Sequence, residues 1–123
     1  MHTMDLAYTL ARKNGWTVVS VVGEIDVYSA ASLREPLNTL VDIEGNAVLL
    51  DLEGVDFMDS MGLRVIAGAH RRAAATGGTF ALLCNRPQVR NILHITGLDE
   101  VIALHSVIPE TALPIPRATT ESV

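Results

Sequence analysis

The chain has 123 residues, 49% of them hydrophobic and 4% aromatic, a length that suits one domain with an aliphatic core. Nine Lys and Arg against fourteen Asp and Glu give a formal net charge of −5, which argues against nucleic acid as a partner. One cysteine, Cys84, excludes an internal disulfide, and the N-terminus shows neither a signal peptide nor a membrane span. These features indicate a cytoplasmic protein that does not bind membranes and whose partner is another protein.

Two β-rich runs, residues 6–12 and 16–22, open the chain. Asn14 and Gly15 between them favour a hairpin because both residue types tolerate a positive φ. The next element is a helix with four apolar residues on one face: Leu33, Leu37, Leu40 and Val41.

The start of this first helix depends on its proline. Ser29 or Ser32 can cap it. A start at Ser32 is favoured because it places Pro36 in the first turn, where a missing backbone N–H costs little.

An apolar run at residues 46–52 predicts a strand that is covered on both faces. A turn is predicted at residues 54–57, and a second helix over residues 61–75. The predicted apolar stripe of this helix consists of Leu63, Ile66, Ala67 and His70. Thr76, Gly77 and Gly78 are expected to end it.

Residues 79–84 predict the next strand, and a third helix follows with Asn85 as its candidate cap. Pro87 suits the start of that helix and Gly97 its end. The residues spaced for burial on it are Val89, Ile92 and Leu93. Residues 101–104 are predicted to form a short last strand.

The predicted order, β-β-α-β-α-β-α-β, indicates a single α/β domain. The opening hairpin is antiparallel, whereas strands joined through helices pair in parallel, so the sheet of four to five strands is mixed. The helices are expected to pack mainly on one side of it. The periodicity fades after His105 and prolines follow, which predicts a domain over residues 1–108 and a flexible C-terminal tail over residues 109–123.

One segment before the second helix concentrates the candidate functional residues. It reads FMDSMGL at residues 57–63, and Ser60 is predicted to be the N-cap of the helix. A catalytic serine elbow needs G-x-S-x-G, but Met58 occupies the first glycine position. No P-loop and no metal-ligand spacing of His and Cys is present in the sequence. The sequence therefore predicts no enzyme, no metal and no cofactor, and leaves a capping serine or a regulatory phosphosite as interpretations of Ser60.

A phosphosite at Ser60 has a physical basis. The free N–H groups and positive dipole end of a helix N-terminus tolerate a phosphate. That phosphate adds roughly −1.5 to −2 charge beside Asp59, with Glu24 and Asp26 expected nearby. Facing one or two carboxylates of a partner at about 8 Å and an effective dielectric of about 40, it costs about 2–4 kcal/mol of binding free energy. Such a penalty is large enough to switch binding off.

Four segments resemble the STAS domain family, and within it most closely the bacterial anti-sigma-factor antagonists. They read VVGEID at residues 21–26, LLDL at 49–52, FMDSMGL at 57–63 and ITGL at 95–98, in the order and spacing of the family. The resemblance implies that an anti-sigma factor acting as a serine-protein kinase phosphorylates Ser60. It further implies that the unphosphorylated form binds this factor and frees the sigma factor, and that a PP2C-type phosphatase restores that form.

Two residues depart from the family pattern. Met61 stands where Ser or Thr is usual, and Arg64 where Gly is frequent. The predicted partner-binding surround of Ser60 comprises Glu24, Asp26, Asp59, Met61, Gly62 and Arg64. The alternative is a STAS scaffold subunit of a transporter or lipid-trafficking complex that does not switch. Such domains often lack the phosphorylatable serine that this chain has at Ser60.

Overall fold

The computed structural model describes residues 6–112. Its elements are β1 (Leu6–Lys13), β2 (Trp16–Ile25), α1 (Ala30–Val41), β3 (Ala47–Met58), α2 (Ser60–Ala75), β4 (Thr79–Leu83), α3 (Pro87–Ile95), α4 (Leu98–Val101) and β5 (Leu104–His105). The strands form one sheet in the order β1-β2-β3-β4-β5. β1 pairs antiparallel with β2, and the other neighbours pair in parallel. The predicted mixed sheet of an α/β domain is confirmed.

The turn between β1 and β2 forms as its sequence predicts. Asn14 and Gly15 both have a positive φ, at 55° and 88°, and Lys13 pairs with Trp16 across the turn. Positive φ at both central residues matches the right-handed twist of the flanking strands. The Asn-Gly pair therefore sets the register of the hairpin.

The main core lies between one face of the sheet and the helices. Along β3, Val48, Leu50 and Leu52 point into this core, whereas Leu49 belongs to a smaller cluster on the opposite face. The helical side chains of the main core are Ala30, Leu33, Leu37 and Val41 of α1, Val65, Ile66, Ala69 and Ala73 of α2, and Val89 and Leu93 of α3. Each fully buried large aliphatic side chain contributes about 1.5–3 kcal/mol. The prediction that the helices pack on one side is confirmed.

The opposite face carries the smaller cluster, made of Trp16, Val18, Leu49, Ala81 and Leu83. Ile108 and Ala112 pack against it from the C-terminal segment. The Asn14 side chain donates to the Pro109 carbonyl at 2.9 Å, and the Ala112 N–H donates to the Asn14 carbonyl at 3.0 Å. Residues 109–112 thus lie against the hairpin, and residues 113–123 of the predicted tail lie outside the described residues.

The predicted start of the first helix at Ser32 is wrong, because α1 begins two residues earlier and contains Pro36 as its seventh residue. The Ala30 N–H donates to the Asp26 carbonyl at 2.8 Å, which starts the helical hydrogen bonding. Ala30 is also 2% exposed, so the early start adds it to the core. These contacts outweigh the N–H that Pro36 lacks.

The predicted turn at residues 54–57 is also wrong, because β3 continues through it to Met58. Val55 and Met58 are buried, and two shifts in register against β2 each accommodate one extra residue of β3. A Cβ on Gly54 would lie 2.8 Å from the Val21 carbonyl oxygen. The glycine therefore allows two strands to approach closely instead of turning the chain.

The buried face of α2 differs from the predicted stripe. It consists of Gly62, Val65, Ile66, Ala69 and Ala73, whereas Leu63, Ala67 and His70 are half-buried. The helix lies close to the sheet and to α1, which selects small residues for its inner face. The predicted stripe favoured large side chains, so it is rotated about the helix axis relative to the face that is buried.

The third helix and the last strand also begin later than predicted. Arg86 is the N-cap of α3, with Pro87 at its start, while the Asn85 side chain donates instead to the Glu53 carboxylate and the Ser106 carbonyl. After Gly97, whose φ is 78°, the short helix α4 covers Leu98–Val101 and takes in the first residue of the predicted strand, so β5 is confined to Leu104–His105. Its first-turn acids, Asp99 and Glu100, favour a helix start. Among residues 6–112 no helix is long and apolar enough to cross a bilayer.

Candidate functional site

The candidate site lies where β2 and β3 end side by side. Ile25 and Met58, the last residues of these strands, are register partners. The Asp59 N–H then donates to the Ile25 carbonyl at 3.1 Å, which ties the start of α2 to the loop after β2. The topology therefore brings residues 24–29 and residues 57–64 to one edge of the sheet.

Asp59 caps α2. Its backbone is extended, with φ −109° and ψ −168°, and its carboxylate accepts the Met61 N–H at 2.8 Å. The prediction of Ser60 as N-cap is therefore wrong by one residue, because the Asp59 carboxylate is the group that caps the Met61 N–H. Ser60 is the first residue of the helix and is exposed, and its hydroxyl makes no hydrogen bond within residues 6–112.

Gly62 is part of the support beneath Ser60 and not of the solvent-facing surface. It is buried, and a Cβ there would lie 2.6 Å from Met58 Cγ and 2.9 Å from Ile25 Cγ2. Only a residue without a side chain lets the first turn of α2 lie on these two strand ends. The glycine thereby fixes where Ser60 emerges.

The two departures from the family pattern lie in different surroundings. Met61 is half-buried and packs against the main core, whereas Arg64 is exposed on α2 one turn after Ser60. Arg64 is thus accessible to a partner, and Met61 only in part.

Asp26 orders the loop between β2 and α1. Its carboxylate accepts the N–H groups of Tyr28 and Ser29 at 2.9 and 3.0 Å. The Ser29 hydroxyl in turn donates to the Glu24 carbonyl at 2.6 Å. The structure thus gives Asp26 a role in the loop, beside whatever role it has towards a partner, while the Glu24 side chain is exposed.

Three exposed apolar side chains at this edge were missed from the sequence. Val27, Tyr28 and Phe57 are 60%, 78% and 49% exposed. Apolar groups beside polar ones at a surface are typical of a protein-binding face. We call the surface formed by Glu24, Val27, Tyr28, Phe57, Asp59 and Ser60 the switch face. Within residues 6–112 no group of His, Cys, Asp or Glu is placed to hold a metal ion.

Replacing Asp59 by Ala is expected to lower the free energy of unfolding by about 0.5–2 kcal/mol, because the Met61 N–H loses its acceptor. Asp59→Asn keeps an acceptor oxygen and is the matched control, expected to lose less than about half of that amount. Urea denaturation followed by circular dichroism measures both variants. Equal losses in the two would contradict the capping role.

Known proteins share both the sequence and the fold of this chain. The sequence model of the STAS domain matches residues 7–111. The anti-sigma-F factor antagonist RsfB of Mycobacterium tuberculosis is 31% identical over 104 residues, which cover 85% of this chain and 84% of that protein. The anti-sigma-B factor antagonist of Bacillus subtilis is 38% identical over 84 residues, which cover 68% and 76%. A crystal structure of an anti-sigma factor antagonist from Mycobacterium paratuberculosis aligns with a TM-score of 0.76 at 30% identity and covers 84% of this chain and 87% of that one.

Proposed function

The chain belongs to the STAS domain family, and we propose that it is an anti-sigma-factor antagonist controlled by phosphorylation of Ser60. In the unphosphorylated form it binds an anti-sigma factor and frees the sigma factor, which regulates transcription. The observation that carries the proposal is the exposed Ser60 hydroxyl, which is left free at the start of α2 because Asp59 supplies the cap. The named antagonists at 31% and 38% identity support the choice of partner.

The proposed switch is a phosphoryl transfer to Ser60. The anti-sigma factor acts as a serine-protein kinase: Ser60 Oγ attacks the γ-phosphorus of ATP, the bond to the ADP oxygen breaks, and the hydroxyl proton leaves to a base of the kinase. A PP2C-type phosphatase hydrolyses the phosphoserine and restores the binding form. The chain itself is a substrate and a binding partner, not an enzyme, and it needs no cofactor.

Charge at the switch face explains how a phosphate would release the partner. The added charge of roughly −1.5 to −2 joins the carboxylates of Glu24 and Asp59 at the same edge of the sheet. A partner docked there faces a more negative surface that is also bulkier at Ser60. The apolar side chains of Val27, Tyr28 and Phe57 supply contact area to the unphosphorylated complex.

The site of action proposed for the chain is the cytoplasm, where sigma factors bind RNA polymerase. Arg64 is exposed beside Ser60, and we propose that it helps to determine which anti-sigma factor the chain binds. Met61 packs partly on the core, and its exposed part contributes to the same specificity.

Incubation with ATP and the anti-sigma kinases encoded in the same genome tests the proposal. We expect one kinase to add a single phosphate, which phosphopeptide mapping assigns to Ser60. Ser32 is also an exposed serine at the start of a helix, so Ser32→Ala is the matched control and should be modified as wild type. Ser60→Ala should remain unmodified. A folded wild-type chain that no kinase modifies would favour the scaffold interpretation instead.

A further inference from the structure

Four arginines line a groove between α1 and α2. The groove has a volume of about 520 Å³, and its arginines are Arg34 of α1 and Arg64, Arg71 and Arg72 of α2. They are four of the nine Lys and Arg in a chain whose formal net charge is −5. Nearly half of the basic side chains of the chain therefore lie along one groove.

Most of this charge lacks a counter-ion. Arg72 makes two hydrogen bonds to the Asp42 carboxylate, from Nε at 3.0 Å and from a terminal nitrogen at 2.6 Å. The pair lowers the pKa of Asp42 and raises the pKa of Arg72, chiefly through these hydrogen bonds. Arg34, Arg64 and Arg71 are exposed and make no ion pair with another residue in the range 6–112. A groove lined by three like charges attracts groups of the opposite charge.

The groove is continuous with the switch face. Met61 and Arg64 line it, and they follow Ser60 by one and four residues on the same helix. A protein that docks on Ser60 therefore lies at the mouth of the groove. The planar guanidinium groups suit the carboxylates of Asp and Glu, which they bind in bidentate geometry.

We propose that the groove is the docking site for an acidic segment of the same anti-sigma factor that binds the switch face. This inference rests on the proposed function and adds a second contact to it, on the side of α2 that faces α1. The groove supplies electrostatic attraction and specificity, whereas Ser60 supplies the switch.

Charge reversal in the groove tests the inference. Arg71→Glu is expected to weaken binding of the purified anti-sigma factor, measured by titration calorimetry, by about tenfold or more. Lys13→Glu makes the same change in net charge at the end of β1, outside the groove lining, and is expected to change affinity less than about twofold. Raising NaCl from about 50 to about 500 mM should weaken binding of the wild type more than binding of Arg71→Glu. The wild type has the larger electrostatic attraction to its partner and therefore loses more when salt screens it.

A photo-crosslinking amino acid at Asn38, which also lines the groove, identifies the occupant. We expect a crosslinked peptide of the anti-sigma factor that is rich in Asp and Glu. Equal affinity of Arg71→Glu and wild type, or a crosslink to a basic or uncharged peptide, would overturn the inference and leave the proposed function standing. If the wild-type chain binds no anti-sigma factor at all, the proposed function fails and this inference fails with it.

Discussion

Phosphoserine installed at position 60 during translation is expected to weaken binding of the anti-sigma factor by about 30- to 1,000-fold. The estimate follows from about 1 kcal/mol per charge pair and one or two facing carboxylates, for a phosphate that carries close to two charges. Ser60→Glu carries one charge and is expected to lose about 5- to 30-fold by the same arithmetic. Ser60→Ala, which adds no charge, is expected to bind as the unphosphorylated wild type. Titration calorimetry of the three proteins measures a graded series in which the negative charge at residue 60 increases.

The control for this series separates charge from size. Ser60→Gln has nearly the volume of Ser60→Glu but no charge, and because residue 60 is exposed neither should disturb the core. Urea denaturation should give the two variants equal free energies of unfolding within about 0.5 kcal/mol. If the Gln variant lost as much affinity as the Glu variant, bulk and not repulsion would account for the switch.

Local signals in the sequence predicted the parts of the fold that depend on local chemistry. The Asn14-Gly15 turn formed because two adjacent residues with positive φ are enough to define a hairpin. Pro87 and Gly97 marked the ends of α3 for similar reasons. Gly54 led to the wrong prediction of a turn. A glycine can occur in a turn or where two strands approach closely, and only the neighbouring strand distinguishes the two cases. Pro36 led to the wrong helix start, because the burial of Ala30 outweighs the backbone hydrogen bond that the proline cannot make.

The candidate site was predictable in its centre and not in its surroundings. The Asp-Ser pair before an apolar helix pointed to Ser60, although the cap fell on Asp59. The arginine groove could not be predicted, because Arg34 and Arg64 lie 30 residues apart and meet only where α1 packs on α2. The exposure of Phe57 depends in the same way on the register shift between β2 and β3. Contacts of this kind are set by how two elements pack on each other, which the periodicity within one element does not specify.

Substitution of Gly62, which lets α2 lie against the strand ends, is expected to destabilise the fold. Gly62→Ala places a Cβ 2.6 Å from Met58 Cγ and 2.9 Å from Ile25 Cγ2, and both neighbours are fully buried and have little room to move. Overpacking of this kind typically costs about 1–3 kcal/mol of the free energy of unfolding. Relief of the clash by a shift of α2 would also displace Ser60, so we expect weaker binding of the anti-sigma factor as well.

Gly68 offers a matched control on the same helix. The nearest atom that a Cβ there would meet is a terminal nitrogen of the Arg71 side chain, at 3.8 Å. Gly68→Ala should therefore gain the helix propensity of alanine, up to about 1 kcal/mol, without a clash. Because Gly68→Ala reports the effect of alanine without a clash, the difference between the free energies of unfolding of the two variants mainly reflects the steric cost at Gly62, expected at about 1–3 kcal/mol. Urea denaturation measures it, and equal stability of the two variants would show that α2 can move away from the strand ends at no cost, so that Gly62 does not fix the position of Ser60.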